Sequence, residues 1–198
     1  MVVSKAKTKF TYEDYVKTPE GERYELLDGE LIMAAAPNMA HHRVGIRLGG
    51  ELHIYVVNTD AGEVYIAPTD VYLSDTDVVQ PDLLFFSKER SHIRTGKNIR
   101  GAPDLVVEIL SPSTSYYDRG YKQDLYAKHG VKEYWLVNPY AKQVTVMLLR
   151  DGRYEIVAVY REDDTLRSPT LEGLELDLRR IFDDVFDEIL ADVLEEMS

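Results

Sequence analysis

The run Leu105–Leu110, LVVEIL, is apolar at every position but one, and the exception is Glu108. A strand apolar on both of its faces belongs in the centre of a sheet covered from both sides. A carboxylate in that place is costly to bury unless it is paired or holds a cation. Asp82, within VVQPDLLFF, poses the same problem one predicted strand earlier, and Lys122 follows on the next predicted helix. Two carboxylates on neighbouring strands with an ammonium nearby suit a hard divalent ion and the hydrolysis of a phosphodiester.

The surrounding pattern supports a mixed sheet flanked by helices. TYEDYVKTPEGERYELLDGELIMAAAP reads as a short helix and a hairpin, with Asp28-Gly29 supplying a positive-φ turn. Asn38 can cap a helix running to about Val57, with Val44, Leu48, Leu52, Tyr55 and Val56 at the 3.6-residue period. Gly49-Gly50 weakens that helix by about 1 kcal/mol per glycine, which a close approach by a neighbouring element would explain. Three strands are predicted next: Glu63 to Leu73 with a break near Pro68, Val78 to Phe86, and Asp104 to Leu110. Ser113 or Ser115 can cap a helix that Gly130 ends, and Val131 to Asn138 is a further strand. KQVTVMLL and RYEIVAVY form a hairpin through Asp151-Gly152. The segment from Asp177 to Glu196 reads as an amphipathic helix whose stripe includes Leu178, Ile181, Phe182, Val185, Ile189, Val193 and Met197. With no repeat and no long linker, residues 1–198 are expected to form one α/β (α+β) domain.

Composition narrows the setting. No apolar run reaches the roughly 18 residues of a membrane helix. The start, MVVSKAKTKF, lacks the apolar core of a secretory signal. The absence of cysteine excludes disulfides and thiolate metal sites, and a reducing cytoplasm is the expected location. A net charge of −12 argues against a nucleic-acid partner until its distribution is considered. Residues 162–198 carry thirteen acidic and three basic side chains, a net of −10, so the remainder is close to neutral. The loop from Ser87 to Gly101 holds Lys88, Arg90, Arg94, Lys97 and Arg100 against Glu89 alone. Such a loop can face phosphates; the plainer reading is a solvated loop that keeps the chain soluble.

Each candidate has a bland counterpart. Pro81-Asp82 can simply start a strand. Lys122 lies four residues after Asp118, the spacing of a surface ion pair. Asp104 shares a face with Glu108 but sits about 13 Å away at 3.3 Å per residue, too far to share one ion. His41 and His42 point about 100° apart on a helix, so they are poor co-ligands and read as surface residues. Tyr116 and Tyr117 could stack on a base, although packing is the simpler role, and Trp135 reads as core.

The order helix, three strands, helix, strand, with Pro-Asp on one strand and Glu on the next, resembles the PD-(D/E)XK nuclease superfamily. More closely, GAPDLVVEILSPSTSYYDRGYKQDLYAKHGVKEYWLVNP resembles the bacterial Uma-type family, labelled "putative restriction endonucleases". The similarity extends from YELLDGELIM to LEGLELDL. It implies a restriction-endonuclease-like αβββαβ core and a Mg²⁺- or Mn²⁺-dependent endonuclease acting on DNA. Asp82 and Glu108 would be the metal ligands, with Asp82, Glu108 and Lys122 catalytic. The usual lysine two residues after the acidic residue is replaced by Leu110, and the resemblance implies that Lys122 takes over its role. Glu25, Glu30 and Glu51 are open candidates for a further acidic group. A homodimer would suit double-strand cleavage. The competing classes are a non-catalytic nucleic-acid or protein binding module that keeps the fold, and a small-molecule phosphohydrolase.

Overall fold

Turn and cap chemistry set the first elements. After the short helix α1 (Tyr12–Tyr15), strands β1 (Tyr24–Leu27) and β2 (Glu30–Met33) pair in antiparallel fashion. Asp28 and Gly29 between them have φ of 48° and 78°, the left-handed conformation a two-residue hairpin needs. Helix α2 (Met39–Thr59) begins as expected: the Asn38 side chain accepts the backbone N–H of His41 at 3.0 Å, a cap worth about 1 kcal/mol. The computed structural model describes residues 9–19, 21–34, 36–111 and 120–196.

The chain continues through β3 (Gly62–Ile66), β4 (Val71–Ser74), β5 (Asp77–Val79), β6 (Leu83–Ser87), β7 (Ile99–Arg100) and β8 (Leu105–Ile109). Helix α3 (Lys122–His129) and β9 (Glu133–Asn138) follow, then the hairpin β10 (Gln143–Arg150) and β11 (Arg153–Arg161). The short strands β12 (Thr165–Arg167) and β13 (Glu175–Asp177) precede α4 (Asp184–Glu196). One sheet has the order β11-β10-β9-β8-β6-β3, a second β2-β1-β5-β4-β7, and β12-β13 form a third. In the six-stranded sheet β8 and β9 run parallel and the other pairs antiparallel. This is the expected mixed sheet with helices on its faces.

Two predicted strands are each divided. The segment from Glu63 to Leu73 becomes β3 and β4, and that from Val78 to Phe86 becomes β5 and β6, with the halves in different sheets. The break falls at Pro68 in the first case and at Pro81 in the second. Proline has no N–H to give a ladder, so the chain leaves one sheet there and enters the other. Both crossovers lie together, since the Ala67 N–H donates to the Asp82 carbonyl at 3.0 Å. Asp82 therefore occupies a junction between sheets rather than the middle of a strand. The C-terminal helix also starts later than predicted. Asp177 ends β13 and caps a single 3-10 turn, and the α-helix begins at Asp184. Leu178, Ile181, Phe182 and Val193 are nonetheless buried.

Strand β8 is covered on both sides. Leu105, Val107 and Ile109 pack with Val44, Leu48 and Leu52 of α2 in one core. Val106 and Leu110 join Leu125, Tyr126 and Tyr134 in another. Fully burying each such aliphatic side chain is worth about 1.5–3 kcal/mol. Gly49 explains half of the paired glycines: a Cβ there would meet Leu83 and Ile66 at 3.2–3.3 Å, so α2 lies tight against the sheet. Gly50 faces open space. Trp135 is fully buried core, as expected.

Candidate active site

Glu108 is 3% exposed and lies on the β8 face that α3 covers. Gly130 ends α3 in the left-handed conformation, φ 84°, and Leu125 and Tyr126 anchor the helix in the core. That anchoring points Lys122, one turn earlier, at the same strand. The Lys122 ammonium is 3.2 Å from Glu108 Oε1 and 3.0 Å from Glu25 Oε2. All three side chains are less than a tenth exposed. Tyr126, four residues after Lys122, donates its hydroxyl to Glu108 Oε1 at 2.6 Å. Burial, with the charges of Glu108 and Glu25, raises the Tyr126 phenol well above its ordinary value, so it stays protonated and remains a donor.

Asp82 approaches the same strand from its end. Its Oδ2 accepts the Ile109 N–H at 2.7 Å and lies 3.0 Å from His41 Nε2. The last ladder pair of β6 and β8 is Leu83 with Val107, so the Asp82 carboxylate takes an N–H that no strand residue reaches. Asp82 thereby touches the peptide that joins Glu108 to Ile109. A cavity of about 170 Å³ opens beside it, lined also by Arg23, His41, His42 and Ile109. Glu25 is tied to this junction as well, because its Oε1 accepts the Gln80 N–H at 2.8 Å.

Of the residues the sequence singles out, Glu108 and Lys122 are in direct contact, and Asp82 adjoins them through a single peptide group. Glu25 is the early acidic residue that reaches the centre; Glu51 pairs instead with Arg180, and Glu30 is exposed on β2. Leu110 is buried in the apolar core on the Glu108 face, so the ammonium there arrives from α3. His41, read as a surface residue, contacts Asp82. Tyr126 was missed, although its position one turn after Lys122 could have suggested it. Asp104 is held elsewhere, by the Ser87 N–H, Arg90 and Lys132. Asp118, Tyr116, Tyr117 and the predicted caps Ser113 and Ser115 lie outside the described residues.

The donors are hard carboxylate oxygens without thiolates, a set that fits magnesium or manganese. Among the described residues no group of three or more His, Cys, Asp or Glu side chains is arranged as a metal cage. Magnesium needs none, since one or two carboxylates with retained waters suffice.

The basic loop is mostly committed to the protein itself. Lys88 pairs with Asp60, and Arg90 binds Asp104 and the Ala102 carbonyl. Arg94 pairs with Glu63, and Arg100 lies over the Tyr72 and Tyr12 rings. Among the described residues no helix is long and apolar enough to cross a membrane.

Comparison with known proteins agrees with this architecture. A crystal structure described as a putative nuclease belonging to DUF820, from Anabaena variabilis, superposes with a TM-score of 0.73 at 22% identity. The match covers 91% of this chain and 99% of that one, and establishes a shared fold. Two uncharacterized proteins of Synechocystis sp., slr1290 and sll1609, are 27% and 23% identical over 164 and 148 residues. These cover 80% and 73% of this chain, and 84% and 82% of the relatives. Residues 11–179 match the Uma2 family, whose description is "Putative restriction endonuclease". The chain belongs to the Uma2 family of restriction-endonuclease-like proteins.

Proposed function

We propose that this protein is a divalent-metal-dependent endonuclease that hydrolyses phosphodiester bonds in DNA in the cytoplasm. The observation that carries the reading is the buried contact of Lys122 with Glu108, made one peptide away from the Asp82 carboxylate. Asp82 and Glu108 would hold Mg²⁺ or Mn²⁺. When bound, the ion supplies charge neutralisation at the phosphate and a more acidic water.

The chain's own groups have separable tasks. The Lys122 ammonium orients the attacking water or stabilises charge on the phosphate. Tyr126 holds one Glu108 oxygen, which fixes the carboxylate in a single orientation. His41 and the Ile109 N–H do the same for Asp82. Glu25 helps anchor Lys122 through its second contact. Cleavage of both strands of a duplex would take two copies of the chain, each supplying one such centre.

The test is conversion of supercoiled plasmid in the presence of Mg²⁺ or Mn²⁺. The wild type should nick or linearise it, EDTA should stop the reaction, and Glu108→Gln should lower the rate by about 10²–10³-fold or more, the scale of losing one electrostatic stabiliser. Cleavage that survives EDTA, or an unaltered rate in Glu108→Gln, would defeat the proposal. A wild type that binds DNA without cutting would leave the non-catalytic binding module.

A further inference from the structure

A trough on the surface beside Pro68 adjoins, through Arg23, the cavity that holds Asp82. Its main part has a volume of about 870 Å³ and is lined by Arg23, Tyr65, Pro68, Arg94 and Lys97 among others. At one end it merges with a hollow of about 340 Å³ that holds Tyr12 and Tyr24, the two parts sharing Gln80, Lys97 and Asn98. At the other end Arg23 lines both the trough and the 170 Å³ cavity beside Asp82 and His41. Resting on the nuclease reading and refining its substrate, we infer that this trough binds one strand of nucleic acid and leads it to Asp82.

Three observations support a single strand over a double helix. The trough is the size of pockets that enclose small ligands, about 300–1,000 Å³, which is room for a few nucleotides of one strand. Lys88, Arg90 and Arg100 are engaged by Asp60, Asp104 and two tyrosine rings, so the loop offers no broad basic face to a duplex. The cations that line the trough are Arg23, Lys97 and Arg94, the last also paired with Glu63. Tyr65 lines the same part and Tyr12 and Tyr24 the adjoining hollow, and cations beside aromatic rings are the combination that tracks a backbone while stacking its bases.

The trough also contains carboxylates, Glu22 and Asp70. Both are drawn to neighbouring groups: Asp70 accepts the Tyr15 hydroxyl at 2.6 Å and the Gln80 amide at 2.9 Å, and Glu22 accepts the Tyr24 hydroxyl at 2.6 Å. Arg23 Nε donates to Gln80 Oε1 at 3.1 Å, which fixes its guanidinium at the junction of trough and cavity. A phosphate held there would be the last before the bond to be cut. Lys97 and Arg94 are exposed on the outer wall and meet the strand first.

Binding can be measured apart from cleavage, by fluorescence anisotropy of a short labelled single-stranded oligodeoxynucleotide and its duplex in EDTA. The wild type should bind the single strand more tightly. Arg94→Glu with Lys97→Glu should weaken that binding at least tenfold and flatten the salt dependence by about 0.7 per lost contact in log–log slope. Lys97→Glu alone, on an exposed loop where folding is not at stake, should give a smaller loss in the same direction. Preference for the duplex, or unaltered affinity in both charge-reversal variants, would overturn the inference. Trough-dependent binding without cleavage under Mg²⁺ would sink the nuclease reading and leave the trough standing.

Discussion

Helix α3 delivers two lysines to two buried acidic centres, and the two meetings differ in kind. Lys128 reaches Asp77, which is fully buried and also accepts from the Asp28 N–H, the Ser74 hydroxyl and His129. Lys128 itself is 59% exposed and contributes one of several donors. Lys122, by contrast, is buried together with Glu108 and Glu25, so two carboxylates converge on its ammonium. At Asp77 the donors crowd one acceptor, the arrangement that lets a buried charge serve stability. At Glu108 three charges are removed from water at once, and desolvation of that kind often costs as much as the attraction returns. A fold has little reason to keep such a cluster for stability, so the Glu108 centre is where chemistry is expected.

The sharpest way to break this contrast is to alter Lys122. Lys122→Ala leaves two buried carboxylates facing one another and should cost about 3–5 kcal/mol in urea unfolding. Neutralising the centre as a whole, with Glu25→Gln, Glu108→Gln and Lys122→Met together, should restore stability to the wild-type level or above it. That triple variant should be inactive. If it is instead as unstable as Lys122→Ala, the cluster is a structural device and the distinction from Asp77 fails.

How much of this was legible beforehand follows from the same physics. The anomaly of Glu108 within LVVEIL could be read directly, because burial of a charge in an apolar strand is a local property of the sequence. The helix bearing Lys122 could be read from its period and from Gly130. Its contact with Glu108 rested on the resemblance, since a four-carbon stem can point several ways. Glu25 could not be separated from Glu30 and Glu51, because the choice depends on where the first hairpin docks, and β1 docks through β5 beside Pro81. The strand breaks at Pro68 and Pro81 were legible only in part. Proline announces a break, but that the halves join different sheets is a tertiary outcome. The fate of the basic loop was hidden for a similar reason: Asp60, Glu63 and Asp104, which pair with Lys88, Arg94 and Arg90, arrive from elsewhere in the chain.

Asp77 supplies the next test. Burial alone would raise its carboxyl, but the His129 ring, the Asp28 N–H, Ser74 and Lys128 outweigh burial and hold it well below the usual carboxylate range. A depressed acid contributes stability above its unfolded value, near pH 4, and that contribution is lost as pH falls below it. Asp77→Asn should therefore destabilise the protein by about 1–3 kcal/mol at neutral pH and reduce the loss seen between pH 4 and pH 2. Plasmid cleavage by the folded variant should match the wild type. A fall in cleavage parallel to that of Glu108→Gln would show that the Asp77 cluster also belongs to the chemistry.

Asp104 gives the smallest effect and tests the redundancy of donors. Burial pushes its carboxyl up, and Lys132, the Ser87 N–H and Arg90 together bring it below the ordinary value. Lys132 is 61% exposed, so its 2.7 Å contact is screened by water and salt. Lys132→Gln should cost no more than about 1 kcal/mol, and less in high salt. Arg90 and the Ser87 N–H still hold the buried carboxylate, which keeps the loss far below that of Lys122→Ala. Equal losses in the two variants would mean that neither burial of the ammonium nor the number of donors around the acid sets the cost, and the contrast drawn for α3 would have to be abandoned.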